Sequence, residues 1–126
     1  FVRKAVDGED IEIWGDGNQT RSFLFVNECI DGTLRLMRSN KNGPYNIGSE
    51  ENISINDLVD LIAHIAGKTV HKKHIDGPLG VRGRNSDNTL IKRDLDWSPS
   101  KTLKEGIEIT YNWINSKLIN GESDAK

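Results

Sequence analysis

The chain has 126 residues, 35% hydrophobic and 29% charged, and its 17 basic and 19 acidic side chains leave a formal net charge of -2. That mixture argues against a broad basic surface for nucleic acid. No apolar run reaches the roughly 18 residues of a spanning helix and no signal-peptide pattern is present, so no membrane partner and a cytoplasmic address are expected.

The length suits one compact unit with a modest core. The chain opens Phe1-Val2-Arg3-Lys4-Ala5-Val6, without methionine, and reads as the end of a helix already under way, so a longer parent protein is expected. Ile11-Glu12-Ile13-Trp14 alternates as a strand does, Gly15-Asp16-Gly17-Asn18 supplies turn residues, and Arg21 to Val26 alternates again, which predicts a hairpin or a closely related loop. Asn27 is the expected cap of a helix whose residues Cys29, Ile30, Leu34 and Met37 recur at three- and four-residue spacing. Cys29, with no second cysteine to pair with, is assigned to core packing there.

Tyr45-Asn46-Ile47 reads as a short strand ending at Gly48. Ser54 and Asp57 resemble a capping box, opening a helix with Ile55, Leu58, Val59, Ile62, Ile65 and Ala66 on one face before Gly67. Val70 to Ile75 suits a strand, residues 77–84 a breaker-rich loop, and Asn88 to Leu95 a short helix. Thr102-Leu103-Lys104-Glu105 is a capping box for a final helix, with a frayed polar end from Asn120 to Lys126. Short strands and helices alternate without a solenoid repeat, so the fold class expected is a small mixed α/β unit over 1–126.

Arg82 and Arg84 stand among Gly77, Gly80 and Gly83, where glycines permit close backbone approach and guanidinium forks address phosphate oxygens. Arg21, with Gln19 beside it, gives a second arginine position, and two separated arginines suit a diphosphate; ordinary solvated surface charge is the competing reading. The three glycines are spaced like a dinucleotide fingerprint, but Pro78 and the arginines interrupt the loop and Asn85-Ser86-Asp87-Asn88 separates it from the next helix. His64, His71 and His74 lie on different elements and no cysteine pair exists, so no metal site is expected.

Trp14-Gly15-Asp16-Gly17-Asn18-Gln19-Thr20-Arg21-Ser22-Phe23, then Tyr45-Asn46-Ile47-Gly48, then Leu95-Asp96-Trp97-Ser98-Pro99 resemble, in this order, the carboxyl-terminal region of extended short-chain dehydrogenase/reductase enzymes acting on nucleotide sugars. The stretch Gly77 to Asn88 with Leu90-Ile91-Lys92 resembles the family's epimerases of GDP-mannose in particular. The resemblance implies an α/β substrate-binding portion lacking the complete Rossmann domain. It implies that Arg21 and Arg84 hold the substrate diphosphate, with Gln19, Arg82 and Ser86 lining the nucleotide-sugar pocket. It implies a parent epimerase that uses NAD, bound mainly by the absent domain, and that forms a homodimer.

The family's catalytic tyrosine and the lysine four residues later are not found, since Tyr45 and Tyr111 are followed at that spacing by Ser49 and Asn115. No catalytic or cofactor-binding residue is therefore expected in this chain. Asn27 stands where the family often has aspartate, and Asp96 where glycine is usual before Trp97. The alternatives are a portion of a UDP-sugar epimerase, dehydratase or decarboxylase, or a stand-alone nucleotide-sugar binding module.

Overall fold

A computed structural model describes residues 1–78 and 80–121. Leu79, in the breaker-rich loop, and the end from 122 onward, expected to fray, lie outside the described residues. In chain order the elements are α1 (Val2–Asp7), β1 (Ile11–Trp14), β2 (Thr20–Ser22), α2 (Val26–Met37), β3 (Asn52–Ser54), α3 (Ile55–Ala66), β4 (Lys72–Ile75), β5 (Gly83–Arg84), α4 (Thr89–Leu95) and α5 (Leu103–Ile119). This is the mixed α/β unit expected.

The strands form two small sheets. β1 pairs with β4 in parallel, Ile11 opposite Lys72 through Trp14 opposite Ile75. β2 is central in the other, antiparallel to β3 and parallel to β5. The hairpin expected between β1 and β2 is therefore not formed. The glycine turn carries the chain from one sheet to the other, because Asn56, from α3, enters it: Nδ2 of Asn56 donates to Asp16 O and its backbone N–H to Gly17 O.

The core lies where β1 meets α1 and α3. Ile11 and Ile13 point inward at alternate positions while Glu12 and Trp14 face out, as strand periodicity requires. They pack with Ala5, Leu58, Val59 and Ile62, and Ile107 of α5 closes the margin. Ser54 accepts from Asp57 N–H, but Asp57 answers the serine hydroxyl instead of its backbone, so the expected box is half made; Thr102 and Glu105 make the full reciprocal box.

Helix α2 departs most from expectation. Its buried positions are Glu28 and Gly32, whereas Val26, Ile30, Leu34 and Met37 form an exposed apolar stripe on the opposite side. Cys29 is exposed as well, which corrects its assignment to the core. The physical reason is a buried carboxylate: Glu28 accepts from Ser100 N–H at 3.0 Å and Ser100 hydroxyl at 2.7 Å, with Lys101 Nζ 3.8 Å away. Gly32 then lets the helix close on the ring of Trp97. Asn27 lies within the first turn and Phe25 takes the cap position without a side-chain bond, so the expected asparagine cap is absent.

Residues 45–47 run without strand pairing, Asn46 being held by a side-chain bond to Asp87 O and Tyr45 by one to Asp94. The strand expected from Val70 is confined to Lys72–Ile75. The loop expected over 77–84 ends in a pairing strand, because β2 offers a free edge that Gly83 and Arg84 complete.

Candidate functional site

Three segments meet at the edge of the second sheet: the glycine turn leading into β2, the turn at 48–51, and the loop leading into and out of β5. The parallel register sets Thr20 opposite Gly83 and Arg21 opposite Arg84. Register partners on neighbouring strands share a face, and strands lie about 4.8 Å apart, so the two arginine side chains leave the sheet from adjacent positions on one face. A hydrogen bond from Thr20 N–H to Arg82 O at 2.8 Å extends the ladder by one residue. A Cβ on Gly83 would stand 2.9 Å from Thr20 Oγ1, so the absence of a side chain there allows this approach.

Arg21 is half-buried and its Nη1 donates to Thr20 O at 2.7 Å, while Arg82 and Arg84 are exposed. Among the described residues, no carboxylate lies within ion-pair distance of Arg21 or Arg84. Asp16 is an acid influenced by the third arginine, Arg82. The Asn18 N–H that donates to Asp16 Oδ1 at 2.9 Å holds that carboxyl below its ordinary value, and the charge of Arg82 adds to the effect. Uncompensated positive charge thus remains at Arg21 and Arg84, which an anion with two phosphates complements.

Gln19 and Ser86 join the same cluster in different ways. Gln19 Nε2 donates to Trp14 O at 3.0 Å, and its Oε1 is buried without a partner. Ser86 donates its hydroxyl to Asn88 Oδ1 at 2.7 Å, and its backbone N–H donates to Ser49 O. A Cβ on Gly48 would stand 2.6 Å from that of Ser86, so only glycine permits this contact. Sequence reasoning missed Asn88, Gly48 and Asn56; the one available signal was an asparagine placed just after the arginine loop, which reads equally as a helix cap.

Arg21 also forms part of the wall of an open, largely apolar cavity of about 1000 Å³, together with Phe1, Phe23, Phe25, Leu103 and Trp113. One arginine of the pair therefore reaches a largely apolar cleft, and such clefts with a few polar groups are typical of small-ligand sites.

The starts of α3, α4 and α5 do not offer the arrangement a dinucleotide uses. A dinucleotide places its pyrophosphate on free N–H groups at a helix start after a glycine turn. At α4 those groups are engaged by Asp87 and Glu50, at α5 by Glu51 and Thr102, and at α3 by Ser54. The carboxylates at α4 and α5 also repel a pyrophosphate. Among the described residues, no group of three or more histidine, cysteine or acidic side chains is placed to hold a metal ion, and no helix is long and apolar enough to cross a membrane.

Residues 1–48 match the model of the NAD dependent epimerase/dehydratase family. The chain is 50% identical over 119 residues to GDP-mannose 3,5-epimerase of Arabidopsis thaliana, covering 94% of this chain and 32% of that protein. Its structure superposes with a TM-score of 0.88 on UDP-glucose 4-epimerase of Thermotoga maritima solved with UDP-glucose, at 28% identity, covering 93% of this chain and 38% of that one. With UDP-glucuronic acid 4-epimerase of Bacillus cereus, in complex with UDP-glucuronic acid and NAD, the TM-score is 0.83 at 29% identity, over 91% of this chain and 38% of that one. The chain spans about a third of the length of the curated relatives it matches. By sequence the chain is similar to members of the NAD dependent epimerase/dehydratase family over about a third of their length, and by fold it carries part of the extended short-chain dehydrogenase/reductase fold.

Proposed function

We propose that this chain is the carboxyl-terminal, substrate-binding portion of an NAD-dependent nucleotide-sugar epimerase, and that it grips the diphosphate of a GDP-sugar such as GDP-mannose. The observation that carries the reading is the cross-strand pair Arg21 and Arg84, two arginines in backbone register without a carboxylate partner among the described residues. Arg82, Gln19 and Ser86 stand on the loops that adjoin these two strands. The GDP preference rests on the 50% identity to GDP-mannose 3,5-epimerase.

The transient oxidation and the proton transfers of epimerisation fall to the cofactor-binding portion, supplied by a longer, cytoplasmic and dimeric parent. The apolar cleft and the outward stripe of α2 suit packing against that portion. Alone, the chain is expected to bind ligand and to turn over nothing.

A UDP-sugar reading is favoured by the UDP-sugars in the solved relatives. Calorimetric titration of the chain with GDP-mannose and with UDP-glucose separates the two. Tighter binding of GDP-mannose supports the proposal, preference for UDP-glucose overturns its GDP component, and binding of neither overturns the site.

A further inference from the structure

Asparagine at the residue before a helix ordinarily turns its side chain onto the first N–H groups. Asn88, at that position before α4, makes no such bond. Its side chain, only 4% exposed, turns away and spans two loops: Nδ2 donates to Gly48 O at 2.8 Å and Oδ1 accepts from Ser86 Oγ at 2.7 Å. Its backbone N–H donates to Glu50 Oε1 at 3.2 Å, and Asp87 takes over the cap by accepting from Thr89 N–H at 3.0 Å. The 48–51 turn is itself anchored, since Glu51 accepts from Leu103 N–H at 2.8 Å.

The chain leaving Arg84 is thereby fastened to a turn that two helix starts hold in place. We propose that Asn88 is a positioning residue for Arg84, fixing its backbone in register with Arg21 before any ligand arrives. This rests on the reading of the two arginines as a diphosphate clamp. A guanidinium carried on a loose loop must be ordered at the moment of binding and loses affinity by that amount.

The test is titration of the 126-residue chain with inorganic pyrophosphate and with GDP, using Asn88→Asp, Arg84→Ala and their combination. Aspartate matches asparagine at a helix start but lacks the Nδ2 donor to Gly48. Asn88→Asp is expected to weaken pyrophosphate binding about tenfold, and the double variant to bind no more weakly than Arg84→Ala alone, because a residue acting through another is not additive with it. If Asn88→Asp does not fold, Asn88→Ser, which caps α4 and is too short for Gly48, gives the same comparison. Parent-like binding in the Asn88 variant, or a full added loss on top of Arg84→Ala, overturns the inference. Parent-like binding in both Arg21→Ala and Arg84→Ala instead overturns the clamp reading beneath it.

Discussion

Arg21 and Arg84 are register partners on adjacent parallel strands. Like charges placed directly across a ladder repel, so this pairing weakens the empty fold and gains its value only with an anion between them. Removing either guanidinium is expected to lower GDP affinity about 10- to 100-fold, equivalent to roughly 1.5–3 kcal/mol for charge-assisted hydrogen bonds. The melting temperature is expected to hold or rise slightly. Calorimetry and thermal melts of Arg21→Ala and Arg84→Ala check both, and unchanged affinity would falsify the clamp.

Gly32→Ala sets helix propensity against packing. Alanine in place of a mid-helix glycine gains about 1 kcal/mol. The new methyl would lie 2.8 Å from Trp97 Cε2 and 2.9 Å from Ile47 Cγ2, and Trp97 is 1% exposed with no room to yield. Overpacking of that kind costs about 1–3 kcal/mol, so a net loss of stability is expected. A lower urea midpoint at unchanged slope is the expected reading; a higher one would show that α2 can move off Trp97.

Asp96 has φ 49° and ψ 42°, left-handed backbone that favours glycine. It therefore holds, as an aspartate, a backbone conformation that glycine adopts without strain. Asp96→Gly is expected to stabilise the chain by about 0.5–1 kcal/mol, the usual benefit of relieving a strained non-glycine residue. No rise in melting temperature would mean that Asp96 finds compensation where it stands.

Acid should unfold the protein through particular carboxylates. Hydrogen bonds from Ser100 hold the Glu28 carboxyl below its ordinary value, and Arg93, with Tyr45 second, holds that of Asp94 well below. A folded-state value below the unfolded one contributes stability that is fully present above the unfolded value, near pH 4, and is lost as pH falls through the folded one. Thermal melts are thus expected to stay level from about pH 7 to 5 and to decline below about pH 4. Glu28→Gln should be less stable at neutral pH and lose part of that acid dependence; an unchanged profile would remove Glu28 from the account.

The stripe Val26, Ile30, Leu34 and Met37 is 59%, 50%, 38% and 75% exposed, which leaves a continuous apolar face in water. Sedimentation of the isolated chain is expected to show association that grows with concentration. Ile30→Glu with Leu34→Glu should restore a monomer. A parent chain that is monomeric throughout would show that this face needs no cover.

The elements with their own local signals were legible before the structure: α3 and α5 from their caps and apolar spacing, β1 from its alternation. The arginine loop was legible too, from glycines and guanidinium groups in one short stretch. The orientation of α2 was not, because an apolar stripe in a sequence states only that something will cover it. Asn88 read only as the start of a short helix, since its partner Gly48 lies far from it in the chain.

The sequence by itself determined where α3 and α5 begin, which face of β1 is apolar, and which side chains have phosphate chemistry, because those properties depend on residues a few positions apart. Only the tertiary structure decided that β1 pairs with β4 and not with β2, that α2 docks by Glu28 and Gly32, and that Arg21 stands beside Arg84. Those outcomes depend on which backbone edges and buried carboxylates find each other across tens of residues, a long-range competition that no local pattern encodes.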